Sequence, residues 1–365
     1  MKQIIFDVDG VFLSEERCFD VTAITIFELL FGEHYINLSH DFISVKLTDE
    51  DIVSIRDRML YKDNILRTLK DKGLNSNWDM LFVIFSIHLI DLIRRNRAQF
   101  EYDFNNIDLK FLQEIEFEDE SIDYQLPMKF LARVQKGKLA IYEHLLDYAE
   151  ESLNTDKVDS FKLKSDLWYI TQNVYQEWYL GEEHHFKYAG KASILKGKEG
   201  FLNNEIIIQP PEQIKSLLEN IKAKGYDIGI ATGRPRIETM IPFESFGLLE
   251  CFRPEKIVTA SEVLDAEKMY PQAGPLGKPN PFCYITSYFG NYPEKYGAYI
   301  EGVPIEKSEF IIVGDSLADY YCAEAIGATF VATLTGVKGE EERSTFEALQ
   351  ADYIINDILD LEEIL

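Results

Sequence analysis

Cysteine is scarce in this chain: Cys18, Cys251, Cys283 and Cys322 are the only four among 365 residues. No two form a C-x-x-C pair, so neither a zinc ribbon nor a thioredoxin-type motif is present. Four thiols in a chain this long do not build a disulfide scaffold, and they read as reduced, mostly buried side chains. Positive charge is also in short supply. Lys and Arg number 37 against 63 Asp and Glu, a formal charge of −26. Residues 301–365 alone hold 3 basic against 15 acidic residues. Nucleic acid is therefore a poor partner, because phosphate backbones are bound by basic patches, and anionic membranes are disfavoured for the same reason. Long apolar runs are missing too. The most strongly apolar, Met80–Ile90, contains His88 and falls short of the ~18–20 residues that span a bilayer. Charge at Lys2 and Asp7 comes too early for a signal-peptide core. There is no internal repeat and no low-complexity segment. The expectation is a soluble, cytoplasmic protein that interacts with neither membrane nor nucleic acid; the oligomeric state is not legible.

Hydrophobic residues, at 46%, are plentiful enough for a large core. The length suggests about two domains. Gln3–Phe6 is a short apolar run stopped by Asp7-Val8-Asp9-Gly10, the pattern of a buried strand feeding a loop. From about residue 14 to 205 the texture is helical. Val21–Phe31, Asn64–Lys72, Trp78–Arg97, Leu126–Leu153 and Ser160–Tyr179 carry the pattern, and Asn105–Tyr124 reads as an acidic irregular stretch. After residue 206, strands alternate with helices. The spacing of Ile214, Leu217, Leu218 and Ile221 predicts a helix opened by Pro210-Pro211. Strands are predicted at Tyr226–Ala231, Lys256–Thr259, Phe310–Val313, Ala328–Thr333 and Tyr353–Ile355, and helices at Ile237–Phe246 and Leu317–Ile326. This alternation argues for a parallel, Rossmann-like α/β sheet. The first strand cannot form a domain alone. The economical solution is one α/β domain from residues 1–13 and 206–365, with 14–205 as a helical insertion.

Several predicted strands end in polar residues able to do chemistry. In a parallel sheet these ends share one edge, where ligands bind. Asp7, Asp9, Thr232, Asp315 and Asp319 should meet there, and Lys278 can reach the same place from a loop or helix start. Carboxylates gathered at one spot need a cation. An all-oxygen set suits Mg²⁺, with Asp7 and Asp315 as candidate ligands and a backbone carbonyl near Asp9 beside them. Asp315 and Asp319 are four apart, so one helical turn would place both on one side. Such a site supports a carboxylate nucleophile, a second carboxylate moving protons, and a hydroxyl and an ammonium on the phosphoryl oxygens.

Phe6-Asp7-Val8-Asp9-Gly10-Val11, Ile230-Ala231-Thr232-Gly233, Gly277-Lys278-Pro279 and Val313-Gly314-Asp315-Ser316-Leu317-Ala318-Asp319 resemble, in order, the four motifs of the haloacid dehalogenase (HAD) superfamily. The resemblance covers residues 1–13 and about 206–365. It implies that Asp7 is the nucleophile and Asp9 the acid/base. Thr232, Gly233 and Lys278 would bind phosphate, while Asp7, Asp9, Asp315 and Asp319 would form the Mg²⁺ site. Residues 206–335, with Phe246–Phe252 and Gly277–Pro281, are most similar to the phosphoglycolate phosphatase and β-phosphoglucomutase branch, which inserts a helical cap after the first motif. Two departures stand out: a cap about twice the size usual in that branch, and a Tyr-, Phe- and Gly-rich stretch at Pro281–Ser308 that suggests an extra loop. Asp9 argues against a dehalogenase or phosphonate hydrolase, and the lack of spans against a transport ATPase. The implied activity is a phosphatase acting on a small phosphorylated metabolite through an aspartyl-phosphate. A phosphomutase and a non-catalytic binding protein remain as alternatives.

Other residues invite blander readings. Arg234 fits a phosphate contact, a cap-facing residue or a surface arginine equally. Adjacent His184 and His185 point apart on a helix and read as structural. Lys187, Lys191, Lys196 and Lys198 read as a solvated hinge, and Lys129, Arg133 and Lys136 as a solvated face. Glu340-Glu341-Glu342 reads as a solvated helix start. Trp78, Trp168, Tyr169, Tyr175, Trp178 and Tyr179 read as core.

Overall fold

A computed structural model describes residues 2–38, 44–74, 76–100, 103–305 and 310–365. The chain divides into two compact units, one formed by Met1–Glu15 with Leu202–Leu365 and the other by Glu16–Phe201.

The first unit is built on six parallel strands: β1 (Gln3–Phe6), β2 (Asp227–Ala231), β3 (Ile257–Val258), β4 (Phe310–Gly314), β5 (Thr329–Thr333) and β6 (Tyr353–Ile355). Their order is β3-β2-β1-β4-β5-β6. Side chains alternate across the sheet, and both faces are covered. Ile4 and Phe6 join Ile228, Ile230 and Val313 under the Pro211–Ala223 helix, whose Ile214, Leu217, Leu218 and Ile221 are all buried. Ile5 joins Ala231, Ile312 and Phe330 on the other face, against Phe282, Tyr284, Cys322 and Ala323. The segment expected as an extra loop at Pro281–Ser308 is instead largely helical. Helices run over Phe282–Phe289 and Tyr296–Glu301 and stop at Gly290 (φ 103°) and Gly302 (φ 99°). Its aromatic residues join the core, except Tyr292 between the two helices, which is exposed; residues 306–308 lie outside the described set. Of Glu340–Glu342, the first two are exposed as expected and Glu342 is not. They form a 3₁₀ turn ahead of the Arg343–Ala348 helix, and Glu342 is buried against Lys338 Nζ at 2.8 Å.

The second unit is helical. Asn77–Arg95 is buried on nearly every side from Asp79 to Ile93, so the most strongly apolar run of the sequence is a central helix of a globular unit. No described helix is long and apolar enough to cross a membrane. Apolar periodicity predicts one helix over Leu126–Leu153, but two are present, Leu126–Leu131 and Lys138–Leu153. Gly137 separates them at φ 121°, and its N–H leaves the helical path to donate to the Lys72 carbonyl at 2.7 Å. The expected irregular stretch contains a short helix at Leu109–Glu114, capped by Asp108. The helix over Asp166–Ala189 kinks at Gly181 (φ 77°, ψ 164°). The backbone of Glu199 and Gly200 lies so close there that a Cβ on Gly181 would collide with it.

Lys198 corrects the solvated-hinge reading. Its side chain is wholly buried, with Nζ 2.8 Å from both Glu28 Oε2 and Glu177 Oε2 and 4.8 Å from the Trp178 ring. Trp178 Nε1 donates to Glu28 at 2.5 Å. Lys187, Lys191 and Lys196 are more exposed, as are Lys129, Arg133 and Lys136. His185 is buried with His184 half-exposed, and neither belongs to a metal-ligating cluster among the described residues. Of the six aromatic residues, Tyr169 departs from the core reading at 50% exposure. All four cysteines are buried free thiols.

Candidate active site

The strand order places β1 between β2 and β4, the point where the connections diverge to opposite sides of the sheet. A crevice at the C-terminal strand ends is expected there. Phe6 pairs with Ile230 on β2 and with Val313 on β4, so the three strands end in step. Asp7 follows β1, Thr232 follows β2 and Asp315 follows β4. The Asp7 N–H donates to the Val313 carbonyl at 2.9 Å, while Asp7 Oδ1 accepts from the Val8 N–H at 2.7 Å.

Asp7, Asp315 and Asp319 each bring a carboxylate oxygen within 4.8 Å of the others. The helical-turn expectation for Asp315 and Asp319 is modified. Ser316 is the N-cap of the Leu317–Ile326 helix, so Asp315 precedes the helix and Asp319 sits in its first turn. Asp319 and Ser316 form a capping box, with Ser316 Oγ donating to Asp319 Oδ2 at 2.7 Å. Two loops close on Asp315. A Cβ on either Gly10 (φ 67°) or Gly336 would run into its carboxylate. The Gly10 carbonyl is held in turn by the hydroxyls of Thr333 at 3.0 Å and Thr335 at 2.5 Å. An oxygen-only trio on rigid supports fits a hard divalent cation such as Mg²⁺.

Lys278, from the turn before the Phe282–Phe289 helix, places Nζ 3.0 Å from Asp7 Oδ2 and 2.7 Å from Asp319 Oδ1. Tyr284 was not anticipated from sequence. Its hydroxyl accepts from Lys278 Nζ at 3.1 Å and donates to Asp319 Oδ1 at 2.7 Å, and its ring lies 4.8 Å from the ammonium. The aromatic richness of its segment was the available signal, but it did not single out this position.

The two carboxylates flanking Lys278 titrate differently. Burial pushes the Asp7 carboxyl up to about 7; Lys278 opposes this, and Asp319 and Asp9 reinforce it. Asp319 is equally buried, but Lys278, Ser316 and Tyr284 together outweigh burial and hold it below the ordinary value. Burial would strip the proton from Lys278, yet Asp319 and Asp7 keep the ammonium well above the usual lysine range. The trio plus lysine is thus poised to take up a cation or share a proton.

Thr232 is buried, and its Oγ1 accepts from the Arg234 N–H at 3.1 Å. Gly233 has open space where a side chain would stand. The Asp9 carboxylate is turned to Arg234 and is not part of the trio. Arg234 itself is neither a surface residue nor an open cationic rim. It is 4% exposed and sits between Asp9 and Glu205.

Residues 275–361 match the family described as Hydrolase_like, HAD-hydrolase-like. A phosphoglycolate phosphatase of Pasteurella multocida (strain Pm70) is 28% identical over 147 residues, which are 39% of this chain and 54% of that protein. The chain therefore spans about half the length of this curated relative. An X-ray structure solved as a target of the Northeast Structural Genomics Consortium is 47% identical, with a TM-score of 0.87, covering 100% of this chain and 98% of that one. With its parallel Rossmann-like sheet and a family match that spans the third and fourth motifs, the chain is similar to HAD-like hydrolases over residues 275–361.

Proposed function

We propose that this protein is a Mg²⁺-dependent phosphatase that cleaves a small phosphomonoester through an aspartyl-phosphate. One observation carries the reading: the carboxylates of Asp7, Asp315 and Asp319 meet at the switch point of a parallel sheet, and a half-buried lysine bridges Asp7 and Asp319. The likeness to a phosphoglycolate phosphatase supports it.

Asp7 attacks phosphorus and a new Oδ–P bond forms while the ester P–O bond breaks. Asp9 gives its proton to the departing oxygen. Water then attacks the aspartyl-phosphate, Asp9 takes the water's proton, and Asp7 is regenerated as inorganic phosphate leaves. The Thr232 hydroxyl, the Gly233 N–H and the Lys278 ammonium hold the phosphoryl oxygens. Asp7, Asp315, Asp319 and the Asp9 carbonyl would hold Mg²⁺, whose positive charge would let the carboxylates stay ionised beside a phosphate dianion. In this reading the unit Glu16–Phe201 serves as a cap that selects the organic part of the ester, a small phosphorylated metabolite.

The test is turnover of an aryl phosphate with Mg²⁺ by the wild type and by Asp7→Asn. The expected result is turnover in the first and none in the second, with the variant still folded by circular dichroism. Persistent turnover in Asp7→Asn would remove Asp7 as nucleophile.

A further inference from the structure

Arg234 is the most constrained cation near the site that the proposed steps do not use. Its Nε donates to Asp9 Oδ1 at 2.7 Å, and Nη2 lies 2.6 Å from the same oxygen. On the other side Nη1 donates to Glu205 Oε1 at 2.6 Å and reaches the Glu238 carbonyl at 3.4 Å. Its N–H holds the Thr232 hydroxyl at 3.1 Å. The Asp9 side chain remains 27% exposed, while those of Arg234 and Glu205 are 4% and 1% exposed. One buried guanidinium therefore fixes one edge of a half-open carboxylate, and a second carboxylate fixes the guanidinium.

We propose that Arg234 is the positioning residue for the proton shuttle at Asp9, with Glu205 as its anchor; this rests on the phosphatase reading. A short side chain at a loop exposed to solvent has several rotamers to choose from. The Nε hydrogen bond to Oδ1, with the charge of Nη2 close beside the same oxygen, restricts Asp9 to one. A lysine in place of Arg234 keeps the charge but presents a point donor in place of a fork. In this account Arg234 acts through the Asp9 carboxylate and not on the phosphoryl group. Its contribution falls on the step in which a proton crosses to or from Asp9. An aryl ester, whose phenolate departs readily, should therefore feel its loss less than an alkyl ester, whose leaving oxygen needs that proton.

The experiment compares wild type, Arg234→Lys and Glu205→Gln in two assays: the pre-steady-state burst of nitrophenolate from nitrophenyl phosphate, and kcat for an alkyl phosphomonoester. Dissociation constants for inorganic phosphate are measured alongside. In Arg234→Lys the ratio of alkyl kcat to burst rate should fall at least about tenfold, a part of the roughly 10²–10⁴ that a positioned acid/base supplies. Phosphate affinity should stay within about threefold, as for a group outside the phosphate cradle. Glu205→Gln should move the ratio in the same direction by a smaller factor, and it reads the proposal even if Arg234→Lys fails to fold. An unchanged ratio in the folded variants, or parallel loss of burst, turnover and phosphate affinity, would overturn the assignment. The wild-type burst and its absence in Asp7→Asn judge the phosphatase reading separately.

Discussion

Replacing Lys198 by Met should strip the ammonium from a buried cluster while leaving most of the aliphatic volume. The side chains of Lys198, Glu28 and Glu177 are 0%, 1% and 0% exposed, so water cannot take over from the lost ammonium. Breaking a buried pair by removing one partner costs about 3–5 kcal/mol, because an uncompensated charge stays behind. For a unit of this size each kcal/mol shifts the melting temperature by about 2–4 °C, so a fall of about 6–20 °C is expected. The pH dependence has a definite sign. Burial raises the Glu28 carboxyl above its ordinary value, and Lys198 opposes that rise. The folded state therefore binds more protons than the unfolded state between the ordinary and the raised value, and stability falls as pH rises through that window. Without Lys198 the opposing pull is gone, so the window widens upward. Scanning calorimetry of the full chain should show a larger deficit at about pH 8 than at about pH 5. Combining Lys198→Met with Glu28→Gln should recover part of it. A melting temperature within about 2 °C of wild type at the higher pH, or a deficit independent of pH, would refute the reasoning.

Two further outcomes follow from the carboxylate trio. Gly336→Ala places a methyl group against Asp315, so Mg²⁺ affinity by calorimetric titration should fall about tenfold or more while the melting temperature changes little. In the metal-free protein the Asp7 carboxyl is raised to about 7, so below that value metal displaces a proton. Mg²⁺ affinity should therefore climb as pH rises toward about 7 and level off above it, with proton release visible as a buffer-dependent titration enthalpy.

The parts of this architecture legible in sequence are those written in local pattern. An apolar run such as Gln3–Phe6 halted by Asp7 marks both a strand and what stands at its end. The same holds for Ala231 before Thr232 and Gly314 before Asp315, and parallel topology then brings these residues together. What stayed hidden depends on partners far away in sequence. Arg234 meets Asp9 across 225 positions, and Lys198 meets Glu28 across 170, so nothing beside either residue announces burial. In a run of lysines, Lys198 looks like its neighbours Lys191 and Lys196 until the chain folds. Gly137 was missed for a different reason: apolar periodicity continues on both sides of it, and the helix break comes from its φ and a long-range bond to Lys72.

The junctions at which the chain leaves and re-enters the sheet unit are stitched. Within that unit the Ser14 N–H donates to the Ile206 carbonyl at 2.8 Å, and the Ile208 N–H donates to the Phe12 carbonyl at 2.9 Å. Leu13 and Ile207 form an antiparallel bridge between them. To the sheet, everything between residues 14 and 206 is a loop whose two ends are already tied. The entropy of closing a loop grows only logarithmically with its length, by about 0.6 kcal/mol per doubling. Lengthening this stretch would therefore place almost no load on the sheet that carries the candidate site. The stitch gives the helical unit room to diversify while the strand ends stay in register.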